Sequence, residues 1–150
     1  MPEISKKPEK IIVGFDFGLR HIGVAIGQSI TQTATPLTTL TARDGVPSWG
    51  EIQEILEKWQ PNDLVVGIPL HLDGTTQPMT FCARRFMNKL RTRFKIPTHA
   101  VDERLSTWEA KTRAPVKIIH HPSKAKTQID EMHAYAAVVL IEQWMAENNE

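Results

Sequence analysis

The chain has 150 residues, 41% of them hydrophobic, enough for one globular domain with a true core and no covalent staples. Its 18 Lys+Arg against 17 Asp+Glu give a net charge of +1, which excludes both a polybasic protein held to nucleic acid by bulk charge and an acidic disordered chain. The lone Cys82 excludes an internal disulfide, no apolar run nears the ~20 residues of a membrane span, and residues 1–10 lack a signal-peptide core, so a soluble cytoplasmic protein with no membrane partner is expected.

Residues 1–10 read as a disordered arm, and 11–147 as one domain. Ile11 to Phe17 is an apolar run broken only by Asp16, too short for a helix, and predicts a buried strand. Gly18 to His21 turns into a second strand, Ile22 to Gln28, making an antiparallel hairpin. A third strand is expected at Leu37 to Ala42, after Pro36. Ser48-Trp-Gly-Glu51 has the form of a capping box, and Ile52, Ile55, Leu56 and Trp59 follow at helical spacing until Pro61. Leu64 to Ile68 is continuously apolar, the mark of a strand covered on both faces. A turn-rich stretch, Pro69 to Thr76, leads into a helix from about Gln77 to Phe94, with Met79, Cys82, Ala83, Phe86 and Leu90 as its apolar stripe. Ile96 to Val101 is a further strand, and Ser106-Thr-Trp-Glu109 a second capping box that starts a helix. Arg113 to Lys126 has no periodicity and reads as a loop. A last helix runs from about Ile129 to Ala146, with Ala134, Ala137, Val138, Ile141 and Met145 on one face. The order β-β-β-α-β-α-β-α-α describes an α/β layer fold.

The candidate chemistry sits where strands stop. Asp16 is a carboxylate embedded in an apolar strand, costly unless it is paired, hydrogen-bonded or bound to a metal. Asp102 and Glu103 stand at the end of the Ile96–Val101 strand. Asp130 projects along the same stripe as Ala134, Ala137 and Ile141, toward the sheet. Three carboxylates at one sheet end suit one or two Mg²⁺ ions, which prefer hard oxygen ligands. Each acid also has a plainer reading: Asp16 as a cap on the Gly18 turn, Asp102 or Glu103 as a solvated strand end paired with Arg104, and Asp130 closing a Thr127-Gln-Ile-Asp130 capping box.

Three segments, FDFGLRHIGVAIG (15–27), GIPLHLDGT (67–75) and DERLST (102–107), together resemble the motifs of the YqgF family of pre-16S rRNA nucleases, over nearly the whole of Ile11 to Trp144. That family is related to RuvC-type Holliday-junction resolvases. The resemblance implies an RNase H-like fold: a mixed five-stranded sheet, antiparallel hairpin strands first and parallel strands after, with helices on both faces. It implies a metal-dependent nuclease with Mg²⁺ or Mn²⁺, two ions, acting on the 5′ end of pre-16S rRNA. Asp16 matches the first family acid and Glu103 the second. Counted back from LIEQW, the third falls on His133, one helical turn after Asp130. Related resolvases carry two ligand-type residues at this spacing, so we take Asp130 as the third acid and His133 as an added metal ligand.

Substrate contacts are expected from Arg20 after the hairpin turn, from Arg104, and from His71, Asp73 and Thr75 in the loop after the fourth strand. Arg84, Arg85 and Lys89 on the 77–94 helix form either a solvated face or, with Lys117, Lys124 and Lys126, a track for a phosphate backbone. Two alternative functions remain at this level: a junction-cleaving DNA endonuclease, and a non-catalytic module that binds rRNA or a ribosomal partner. Actin-like ATPases share the DxG hairpin, but they need two such domains, and no GxxxxGK[ST] loop exists here.

Overall fold

A computed structural model describes residues 9–103 and 125–148, the first six of the second stretch by backbone alone. In chain order the strands are β1 (Ile11–Asp16), β2 (His21–Gln28), β3 (Thr33–Arg43), β4 (Val46–Pro47), β5 (Asp63–Ile68) and β6 (Thr98–Asp102). The helices are α1 (Trp49–Trp59), α2 (Pro78–Phe94) and α3 (Ala125–Asn148). The sheet order is β4-β3-β2-β1-β5-β6. β1, β2 and β3 form an antiparallel meander, and β5 and β6 add in parallel to β1 through helical crossovers.

Side-chain alternation along β1 divides the core in two. Val13 and Phe15 point to the face covered by α1 and α2, where they meet Ile52, Leu56, Phe86 and Leu90. Ile12 points to the other face and packs with Val65, Val101, Ala137, Leu140 and Ile141 beneath α3. Phe86 anchors the first layer, with its ring 5.6 Å from Phe15 and 5.2 Å from Phe17. Each such fully buried large side chain contributes roughly 1.5–3 kcal/mol.

Small residues decide how closely α3 approaches. A Cβ on Gly23 would overlap the His133 carbonyl oxygen, and one on Gly27 or Gly14 would overlap the Ile141 side chain. On the helix side the facing positions include Ala134 and Ala137. The helix therefore lies against β1 and β2 with almost nothing between the backbones at Gly23.

The helix starts carry the expected signals. Ser48 Oγ accepts from Glu51 N at 3.4 Å to start α1. Gln77 caps α2, with its N–H donating to Thr80 Oγ1 at 3.0 Å. Both helices end on a left-handed residue that is not glycine, Gln60 and Lys95.

Four expectations need correction. The sheet has six strands, not five, because Val46–Pro47 pairs with Ala42 and Arg43; two residues carry no readable period. β3 begins at Thr33, before Pro36. Its edge is threonine-rich and exposed, and Pro36 fits because the register shifts there, leaving Leu37 as the extra residue opposite Val24/Ala25. α3 starts at Ala125, so the end of the expected 113–126 loop is helical. Lys10, placed in the arm, is hydrogen-bonded to Ser29 through both its N–H and its carbonyl. The helix expected after Ser106 lies outside the described residues. No helix among those described is long and apolar enough to cross a membrane.

Candidate active site

β1, β5 and β6 run parallel, so Asp16 and Glu103 arrive at the same end of the sheet, where α/β folds place their ligands. The period of two puts Asp16 on the α3 face, two residues beyond Gly14 and four beyond Ile12. Glu103 continues β6 by one residue, its N–H donating to the Ile68 carbonyl at 3.3 Å. Between the two acids lies Gly67 of β5. A Cβ there would overlap Glu103 Oε2, so the glycine opens the space in which the Glu103 side chain reaches across β5 toward Asp16.

The electrostatics of this pair are unfavourable without a cation. Glu103 Oε2 is fully buried and has no hydrogen-bond partner. Burial raises the Glu103 carboxyl first, and the charges of Asp16 and Asp102 and a hydrogen bond with Asp16 raise it further, to about 9. Such a group is held neutral by its site unless a positive charge offsets the acids. His133 supplies a nitrogen beside Asp16: its Nδ1 lies 3.8 Å from Asp16 Oδ2. His21, at the start of β2, stacks on His133 with ring centroids 5.1 Å apart.

The structure thus sets Glu103 beside Asp16 and His133 at a second contact of the same carboxylate. Asp130 sits one turn before His133 on α3, its side chain outside the described residues, as is all of Arg104. Arg20 is exposed at the end of the hairpin turn, immediately before β2. His71, Asp73 and Thr75 form the exposed loop after β5. There Asp73 and Thr75 shape the loop itself: Thr75 N and Oγ1 both donate to Asp73 Oδ1, at 2.9 and 2.7 Å. Those two bonds hold the Asp73 carboxyl below its usual range. The basic residues of α2 divide between two recesses. Arg84 lines a cleft with Asn88, Met87, Leu70 and Asp102. Arg85 and Lys89 line a smaller one with Phe17, Asp44 and Trp49.

Sequence reasoning missed three contributors. His21 lies inside the first motif, and its even spacing from Gly23 and Ala25 already assigns it to the α3 face. Gly67 is legible in the sequence as part of an apolar strand and as the first residue of the second motif, but not as the opening that admits Glu103. Thr80 is fully buried; its Oγ1 donates to the Pro69 carbonyl and accepts from Gln77 N, which ties the loop to α2. A threonine three residues after a helix start was its only signal.

The donor types fit a hard divalent cation: two carboxylates, one with a buried, unpartnered oxygen, and an imidazole beside the other. Among the described residues no three ligand-type groups converge closely enough to hold one.

Comparison with known proteins agrees with this architecture. The family model described as RuvX, Holliday junction resolvase, matches residues 10–147. A Coxiella burnetii protein named "Putative pre-16S rRNA nuclease" is 46% identical over 137 residues, 91% of this chain and 93% of its own. Proteins of the same name from Shewanella oneidensis and Yersinia pestis are 45% and 44% identical, covering 90% and 92% of this chain and 93% and 96% of their own. Among solved structures, Thermus thermophilus RuvC bound to a Holliday junction superposes with a TM-score of 0.57 at 13% identity, over 92% of this chain and 95% of that one. The Fowlpox virus resolvase bound to junction DNA gives 0.54 at 11%, over 93% and 99%. The fold is therefore the RNase H-like one of RuvC-type resolvases.

Proposed function

Because the chain belongs to the RuvX family, we propose that it is a metal-dependent nuclease that hydrolyses phosphodiester bonds in pre-16S rRNA, at the 5′ end of the mature sequence. The observation that carries this reading is the Asp16–Glu103 pair with its buried, unpartnered Oε2, a site that a cation would complete. RNA is favoured over a DNA junction because the relatives at 43–46% identity are named for pre-16S rRNA, whereas the junction-bound structures resemble the chain at 11–13% identity.

Asp16 and Glu103 would hold the metal, with Asp130 and His133 adding ligands from α3. A bound Mg²⁺ or Mn²⁺ supplies an activated water and offsets charge on the phosphate. The chain's own residues do the rest. β1 and β6 fix the two carboxylates at one sheet end, while Gly67 admits the Glu103 side chain. His133, backed by the His21 ring, orients Asp16. Arg20, in the turn after β1, and the His71–Thr75 loop, after β5, leave the sheet at the end that carries the acids and would receive the phosphates of the substrate strand. The reading places the protein in the cytoplasm, near assembling ribosomal subunits.

The test offers the purified protein, with Mg²⁺ or Mn²⁺, a pre-rRNA fragment and a four-way DNA junction side by side. Cleavage of the RNA fragment is expected, and cleavage of the junction alone would replace RNA by DNA. Asp16→Asn should keep the circular dichroism spectrum and lose at least about a hundredfold in rate. A variant that cleaves at the parent rate would overturn the site.

A further inference from the structure

We propose that the cleft between α2 and the ends of β5 and β6 is a nucleotide pocket that seats one unstacked base of the substrate strand at the same sheet end as the acid pair. The inference rests on the nucleic-acid reading above and adds to it the part of the substrate that is recognised. The cleft has a volume of about 350 Å³, within the range of small-molecule pockets. Its walls are apolar, from Ile68, Leu70 and Met87 together with the exposed Ala100. Its polar groups include donors and an acceptor: Arg84 and Asn88, four residues apart on α2, and the Asp102 carboxylate across from them.

That combination suits a flat, edge-polar ring. Apolar and guanidinium surfaces stack on its faces, and mixed donors and acceptors read its edge. Asn88 Oδ1 accepts from Arg91 Nη1 at 3.3 Å, which leaves the amide NH₂ to donate. Arg91 Nη2 also donates to the Thr98 carbonyl at 3.0 Å, which fixes α2 to β6 and holds the cleft open at a set width. Its place relative to the chemistry follows from the strand. Consecutive residues point to opposite faces, so Glu103 turns to the α3 side while Asp102 turns to the cleft. Their Cα atoms are about 3.8 Å apart. The cleft and the acid pair therefore lie on opposite faces of the same sheet end, and a base held against Asp102 belongs to a strand that passes over that end.

The experiment uses the full-length Asp16→Asn protein, so that binding is measured without cleavage. Single-stranded RNA oligonucleotides spanning the cut point carry an abasic residue at one position at a time. One position, and one only, should weaken binding roughly tenfold, the size of a lost base–side chain stack. Adding Ala100→Trp, which fills the cleft from β6, should weaken the intact oligonucleotide by a similar factor and abolish the abasic penalty. Met87→Trp fills it from α2 and should do the same, so one misfolded variant does not decide the matter. Equal penalties at every position, or a single penalty that survives both fillings, would overturn the pocket. The two readings separate: a parent protein that fails to cleave RNA while its Asp16→Asn form shows the abasic pattern keeps the pocket and loses the nuclease. Cleavage without the pattern does the reverse, and absence of any RNA binding removes both.

Discussion

Glu103 occupies a place that disfavours its own charge. Its Oε2 is buried without a partner, and Asp16 and Asp102 press on it, so its pKa stands near 9 in the folded, metal-free protein against 4.5 in an unfolded chain. Below pH 4.5 both states carry the proton and the residue costs nothing. Between 4.5 and about 9 the unfolded chain releases a proton that the folded one keeps, so stability falls as pH rises. Glu103→Gln removes the ionisation and keeps the shape. Measured by thermal denaturation in EDTA, that variant should gain roughly 1–3 kcal/mol over the parent at pH 8 and nothing at pH 4. The same variant should lose activity. A gain over the parent at pH 8 no larger than at pH 4 would show that the carboxylate is already compensated. At this scale sequence reading went far for Asp16, because an acid inside Ile-Ile-Val-Gly-Phe is conspicuous. It went less far for Gly67 and His21, whose roles exist only once β5 lies between β1 and β6 and α3 lies across them.

The element that assembles the site is α3, and its seating depends on what β1 and β2 lack. Gly23 lies opposite Asp16 in the hairpin register and directly beneath the His133 backbone. Gly23→Ala would drive a methyl group into the His133 carbonyl oxygen, and since backbone cannot rotate away, the helix must lift. We expect a loss of about 2–3 kcal/mol in urea denaturation, and a fall in activity larger than the stability loss explains, because His133 leaves Asp16. Gly50, near the start of α1 with only Ser48 Oγ near its Cβ position, serves as the control, where alanine should be neutral or slightly stabilising. The elements that sequence made legible were those with a strong period or a continuous apolar run: β1, β5, α1 and the stripe of α2. β3 and β4 escaped because an exposed threonine-rich edge and a two-residue bridge are stabilised by pairing with neighbours already in place, not by any pattern of their own. The early start of α3 escaped for the opposite reason. Ala125 to Gln128 carry no apolar stripe, and their helical backbone extends a helix whose buried face lies further on.

Over the whole molecule, a net charge of +1 conceals a separation. Asp16, Asp102 and Glu103 meet at one end of the sheet, while Arg20, Arg84, Arg85 and Lys89 stay exposed in the β1–β2 turn and along α2. Bulk attraction is therefore weak, and affinity for a strand must come from a few placed contacts. If those four cations each meet a phosphate, single-stranded RNA binding should fall with salt at a log–log slope near −3, about fiftyfold between 50 and 200 mM. The four do not share one surface, since Arg84 faces the cleft with Asp102 while Arg85 and Lys89 face the recess beside Phe17. This makes the slope a report on the strand's path. A strand confined to the Asp102 side predicts that Arg84→Ala lowers the slope by about 0.7 and Arg85→Ala leaves it unchanged. A strand crossing α2 predicts equal losses from both. A slope already near zero in the parent would mean that neither side carries phosphate, and that the basic face of α2 is simply solvated.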